Sequence, residues 1–281
     1  MMKSLLTSFT FFLFSSGCTS VVFQPDSYIY RTPTDYNLTY KEHTFINDDI
    51  RLNAWWIKPK IPSKGLLFVV HGNAQNMSAH FTSWVWLVAS GYEVFIFDYR
   101  GYGASEGEPD LEEAISDVNI ALDYLETQYK KPYILSGESL GGTLAINALA
   151  LKARPQIQLA IIDSTFSDLE VLGTEIMRRS YLTWPFYPLA YPLLDGDYNA
   201  IDVVADIKTP LLFVAGSKDT TISPNHSWQL FDAATPPKLF WLDTKAGHIN
   251  TFENPYMQKE LLEFLKAPKF SNHYDEMKIY R

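Results

Sequence analysis

The 281-residue chain holds a single cysteine, Cys18. An internal disulfide and a thiolate-rich zinc or iron–sulfur site are thereby excluded. Positive charge is also scarce: 23 Lys and Arg stand against 32 Asp and Glu, a formal net charge of −9, with no basic run. Such a chain has no means of releasing the counterions of a phosphate backbone, which excludes nucleic acid as a partner. Long apolar runs are missing as well. The stretch from Leu5 to Phe14 is broken by Thr7, Ser8 and Thr10 and falls well short of the roughly 20 residues of a bilayer span, so a multi-span membrane protein is excluded. No H-E-x-x-H, phosphate-loop or calcium-loop pattern occurs. Gly101, Gly103 and Gly107 are spaced one residue too widely for a dinucleotide fingerprint, with Glu106 where its third glycine belongs. No metal and no cofactor are expected, and there is no internal repeat. What is present is 47% hydrophobic residues, enough for one sizeable core and a single globular domain.

Met1-Met2-Lys3-Ser4 gives a short positive start, Leu5–Phe14 an apolar stretch, and Ser15-Ser16-Gly17 a run of small residues before Cys18. Residues 1–17 read as a secretory signal peptide. The segment resembles a bacterial lipoprotein signal, in which the cysteine becomes the lipid-modified N-terminus. An ordinary signal peptide that happens to contain a cysteine is the alternative. The resemblance implies lipidation of Cys18, a polar tether over residues 18–36, and a lipid-anchored protein of the cell envelope. Thr19 rather than Asp after the cysteine implies the outer membrane if the source is Gram-negative.

Residues 37–266 read as the domain. A hairpin is expected from 38–45 and 50–57 around Asn47-Asp48-Asp49. Short continuous apolar runs at 66–70, 94–97, 133–135, 159–162, 211–214 and 239–242 have the form of strands covered on both faces. Between them, Leu111, Ala114, Ile115, Val118, Leu122 and Leu125 keep helical spacing, with Asp110 and Glu113 placed as a capping pair. This order predicts an α/β fold with a mostly parallel sheet flanked by helices. One connection, about 164–209, is too long for a simple crossover and is rich in aromatics and prolines. It reads as a cap over the carboxyl ends of the strands, with Tyr181, Trp184, Phe186, Tyr187 and Tyr191 as candidate pocket residues; an elaborated crossover that only packs is the alternative. Residues 267–281 read as a polar, peripheral tail.

Gly137-Glu138-Ser139-Leu140-Gly141 follows one strand run and opens a helical stretch. A G-x-S-x-G match is expected only ~0.05 times by chance in a chain of this composition, before that flanking is required. In such a turn the serine hydroxyl stands at the head of a helix, where the Leu140 N–H and the helix dipole face the same point. A serine needs a base, an acid to orient it, and donors for the oxyanion. Asp219, in Gly216-Ser217-Lys218-Asp219, and His248, in Ala246-Gly247-His248, each follow a strand run and reach the same rim.

These motifs, with His71-Gly72-Asn73-Ala74 and Asp98-Tyr99-Arg100-Gly101-Tyr102-Gly103-Ala104-Ser105, resemble the α/β-hydrolase family from about Leu66 to Phe264, and within it the serine aminopeptidase-like hydrolases. The resemblance implies the α/β-hydrolase fold, Ser139 as nucleophile, Asp219 as acid, His248 as base, and the backbone N–H groups of Asn73 and Leu140 as the oxyanion hole. Asp163 is the rival acid. His71 reads as a brace for the oxyanion loop, His226 as a residue of the helix after Asp219, and His43, His80 and His273 as out of place for a base. Asp98 and Arg100 read as an ion pair or loop brace, and Glu138 as either a tuning charge or a structural residue. The expected activity is hydrolysis of an acyl ester or thioester, of the carboxylesterase or small-lipase type, on an apolar small-molecule substrate. A peptidase, an acyltransferase and a catalytically silent envelope binding lipoprotein are the alternatives.

Overall fold

The computed structural model describes residues 23–179, 181–194, 196–266, 268 and 275–281. The signal-peptide and Cys18 readings fall on residues 1–22, outside the described residues, as does His273. Strand β1 (Thr39–Asn47) turns into β2 (Ile50–Lys58) as the expected hairpin. There follow β3 (Gly65–Val70), α1 (Met77–His80), α2 (Val85–Ala89), β4 (Tyr92–Asp98), α3 (Leu111–Gln128), β5 (Tyr133–Glu138), α4 (Leu140–Leu151) and β6 (Ile157–Asp163). The long connection carries α5 (Leu169–Arg178), α6 (Ala190–Leu193) and α7 (Ala200–Val203) before β7 (Leu211–Gly216). Helix α8 (Pro224–Ala233), β8 (Lys238–Asp243), α9 (Pro255–Lys266) and β9 (Asp275–Tyr280) complete the order.

Among the described residues the strands form one sheet in the order β1-β2-β4-β3-β5-β6-β7-β8-β9. Strand β2 pairs antiparallel with both β1 and β4, and every other pairing is parallel. Successive strand residues point to opposite faces, so a continuous apolar run feeds two cores. Phe68, Phe97, Leu135 and Phe213 pack on one face with Val118 and Leu122 of α3, Leu144 of α4 and Leu230 of α8. Val69, Ile96, Ile161 and Trp241 pack on the other with Trp84, Leu87 of α2, and Met257 and Leu261 of α9.

Four expectations are corrected. Residues 275–280 are not peripheral: they pair in parallel with β8, from Lys238 opposite Asp275 to Asp243 opposite Tyr280, and the Tyr280 ring lies 5.5 Å from Trp241. The pairing covers an edge that β8 would otherwise expose. Nor do residues 23–36 hang free, because Phe23 buries its ring against Tyr99 and Tyr102, and the Asn76 amide donates to the carbonyls of Asp26 and Tyr28. Asp98 and Arg100 do not pair with each other. The Arg100 guanidinium forks onto Asp117 at 2.9 and 2.8 Å, while Asp98 accepts the Met77 N–H at 2.6 Å and lies 3.2 Å from His71 Nε2. Asp110 does cap α3, through the Glu112 N–H, but Glu113 turns away to Arg100. A guanidinium in reach offers a carboxylate a stronger, charge-assisted partner than a backbone N–H.

Candidate active site

Ser139 joins β5 directly to α4 with φ 52° and ψ −121°, a conformation that L residues rarely adopt and that surrounding contacts must hold. Its carbonyl accepts the Gly142 N–H and the Thr165 hydroxyl, which fix the turn. Gly141 permits the geometry: a Cβ there would lie 2.1 Å from the Val70 carbonyl oxygen, so only glycine lets the head of α4 come so close to β3. The Ser139 hydroxyl is thereby set at a helix N-terminus, where the first backbone N–H groups have no intrahelical acceptor.

The loops after β7 and β8 bring in two further side chains. Asp219 Oδ1 accepts the N–H groups of Thr221 and Ile222 at 2.8 and 2.9 Å, and its Oδ2 lies 2.7 Å from His248 Nδ1. A carboxylate only accepts, so Nδ1 carries the proton and Nε2 turns its lone pair to Ser139 Oγ, 3.0 Å away. Residues 139, 219 and 248 thus form one hydrogen-bonded line. An imidazole so held can take the hydroxyl proton while the carboxylate stabilises the cation that results. Asp163 is excluded from the line. It is buried and accepts the Ser164 hydroxyl at 2.8 Å. Burial lifts its carboxyl to about 7; the Ser164 hydrogen bond opposes the rise, the charge of Glu138 adds to it, that of His248 opposes it and that of Asp219 adds to it.

A layer beneath Ser139 that the sequence did not disclose braces the loop after β3. Glu138, adjacent to the serine but on the opposite side of the strand, accepts the Trp84 indole N–H at 2.6 Å and faces His80 Nδ1 at 3.5 Å. His80 Nε2 donates to the Ala74 carbonyl at 3.2 Å. Burial disfavours the imidazolium, but the hydrogen bond and charge of Glu138 outweigh it and raise the His80 pKa. The braced loop needs that support, since Ala74 and Gln75 both have positive φ, at 46° and 64°. His71 is a brace, as expected: buried, it donates Nδ1–H to the Gly72 carbonyl and stacks on Tyr99 at 4.4 Å. Asn73 is fixed through its side-chain oxygen, which accepts the Gln24 N–H and the Tyr102 hydroxyl, each at 2.8 Å. No spacing in the sequence links His80 to Glu138, 58 residues on, or Gln24 to Asn73. Of the other histidines, His43 bonds the Tyr124 hydroxyl and His226, on α8, bonds Ser167.

Ser139, Leu140, Asn73 and His248 border a cavity of about 800 Å³. The long connection contributes Phe166 and otherwise aliphatic side chains: Leu169, Leu172, Ile176 and Met177 of α5, Ala190 of α6, and Leu194. The five aromatics expected there do not line it. Tyr181, Trp184, Phe186 and Tyr191 are exposed on the outer side, and Tyr187 lies under the Arg178 guanidinium at 4.0 Å. The three-residue period of the short helical turn at Trp184–Leu189 gives the bulky rings no inward stripe, whereas α5 has one and turns it to the cavity.

The chain is similar over 238 residues to the "Alpha/beta hydrolase domain-containing protein WAV2" of Arabidopsis thaliana, at 31% identity, with 79% of this chain and 76% of that protein covered. It belongs to the α/β-hydrolase family. The family model "Serine aminopeptidase, S33" matches residues 61–182. The uncharacterized protein YfhR of Escherichia coli K12 is 28% identical over 271 residues, covering 92% of this chain and 91% of that one. An "Uncharacterized membrane protein", YNL320W of Saccharomyces cerevisiae, is 29% identical over 206 residues, covering 72% of this chain and 70% of that protein. Among solved structures, a Pyrococcus furiosus esterase, Pf2001, superposes with a TM-score of 0.71 at 24% identity, covering 87% of this chain and 97% of that one. That likeness carries the α/β-hydrolase fold alone.

Proposed function

We propose that this α/β-hydrolase cleaves carboxylic esters or thioesters of apolar acyl groups through an acyl-enzyme on Ser139. The observation that carries the reading is the unbroken line from Ser139 Oγ through His248 to Asp219 at the border of an apolar cavity. Ser139 Oγ attacks the acyl carbonyl as its proton passes to His248 Nε2, and Asp219 holds the imidazolium. The N–H groups of Leu140 and Asn73 receive the oxyanion, each such donor being worth roughly 3 kcal/mol. His248 then protonates the leaving group, and water activated by the same imidazole releases the acid. No metal or cofactor enters the cycle.

An ester or thioester is favoured over a peptide by the chemistry of the lining. Among the described residues, those around the cavity include no Asp or Glu to hold the free amine of an aminopeptidase substrate, and an unpaired ammonium in an apolar pocket is costly. In the same proposal the chain is lipid-anchored at the cell envelope through Cys18.

A fluorophosphonate probe tests the reaction. The full chain should be labelled and should hydrolyse p-nitrophenyl acyl esters, and Ser139→Ala should lose both. Label retained by Ser139→Ala, or no label on the unaltered chain, would overturn it. Intact-mass measurement of chain isolated from membranes tests Cys18, expecting cleavage before it and added acyl mass.

A further inference from the structure

The outer face of the cap carries Tyr181, Trp184, Phe186, Leu189 and Tyr191 at 100%, 57%, 55%, 47% and 57% exposure. Five large apolar side chains concentrated within eleven residues are more than scattered surface hydrophobics, and tyrosine and tryptophan are the residues suited to a lipid–water boundary. The face is continuous with the cavity. Ile176, which lines the pocket, is itself 51% exposed, and Ala190 and Leu194 on either side of Tyr191 line it too. The charge is distinct as well: Arg179 faces Glu175 at 3.5 Å, but Arg178 lies over the Tyr187 ring and adds a positive charge to the patch, within a protein of net charge −9. An anionic lipid surface would attract this patch and repel most of the remainder.

The N-terminal side of the described chain reaches the same cavity. Phe23 is buried against Tyr99 and Tyr102, and Gln24 borders the cavity, its N–H donated to Asn73. Cys18 precedes Phe23 by five residues. Even fully extended, those residues reach only about 17 Å. An acyl chain on Cys18 would therefore hold the rim that bears the oxyanion loop close to the membrane, not at the end of a long leash.

We propose that the outer face of the cap seats in the membrane interface and turns the mouth of the cavity toward the bilayer, so that the substrate is an acyl ester drawn from the lipid phase. This rests on the hydrolase reading above and specifies where its substrate resides.

The experiment uses the full chain reconstituted in phosphatidylethanolamine–phosphatidylglycerol vesicles whose acyl chains carry bromine, a contact quencher of indole. Emission should be quenched, and Trp184→Phe should remove the quenched component, whereas Trp228→Phe, at a 43% exposed tryptophan on α8, should leave it. Quenching unchanged in Trp184→Phe would overturn the proposal, as would absence of quenching with a doubled mass in light scattering, which would assign the face to a second copy. The triple variant Tyr181→Ser, Trp184→Ser, Phe186→Ser should lose about tenfold or more on a vesicle-borne ester, the loss of ~1.4 kcal/mol of interfacial binding. It should keep its activity on soluble p-nitrophenyl butyrate. Equal losses on both substrates would refute the proposal. Fluorophosphonate labelling of Ser139 in the same samples separates failure of membrane docking from failure of the hydrolase reading.

Discussion

At the end of β6, Asp163 is buried in register opposite Glu138 and within the field of Asp219. Its carboxyl titrates at about 7 in the folded protein, against 3.8 when unfolded. The folded state therefore keeps a proton that the unfolded chain releases between those values. Stability from this group is complete below pH 3.8, declines as pH rises, and is lost above pH 7. At 1.36 kcal/mol per pH unit the difference amounts to about 4 kcal/mol. Asp163→Asn keeps the shape and the oxygen that accepts the Ser164 hydroxyl but cannot ionise, so it should escape that loss. Urea unfolding of both proteins from pH 4 to 9 measures it. The two should be equally stable near pH 4, and the variant should be more stable by up to about 4 kcal/mol at pH 8, or roughly 10 °C in Tm. Taking the difference between them cancels every other titrating group. Parallel stability curves across the whole range would refute the reasoning, and a variant that gains its advantage on the acid side would reverse its sign.

Glu138→Gln removes the charge that raises the His80 pKa beneath the loop after β3, while leaving an oxygen for the Trp84 N–H. We expect kcat to fall about 10–100-fold with KM little changed, since the donor proposed on that loop acts on the transition state; steady-state kinetics on a soluble ester checks the split. A Cβ at Gly216 would lie 2.3 Å from the Gly247 carbonyl oxygen, at the contact between the Asp219 and His248 loops. Gly216→Ala should push those loops apart and lower kcat/KM by about 100-fold, as displacement of about 1 Å does, with the crystal structure showing a longer His248–Ser139 distance. Asp117→Ala strips the buried Arg100 guanidinium of its two-pronged partner. Because Glu113 still pairs with the cation, a loss of roughly 1.5–3 kcal/mol in denaturant unfolding is expected.

Most of the strands, helix α3 and the candidates Ser139, His248 and Asp219 were legible in the residues alone. Continuous apolar runs such as 66–70 and 94–97 have the form of strands covered on both faces, and the glycines around Ser139 marked a turn that no bulkier residues would enter. Local sterics and burial act through near neighbours, and near neighbours leave periods that can be read. The tertiary structure alone decided what long-range contact decides. It chose Asp219 over Asp163 as the partner of His248, set Glu138 against His80 and Arg100 against Asp117 instead of Asp98, and drew residues 275–280 into the sheet. It also turned the rings of the cap outward and the aliphatic side chains of α5 inward. Hydrogen bonds and ion pairs of this kind join groups whose separation along the chain carries no regular spacing, so they exist as information only once the chain has folded.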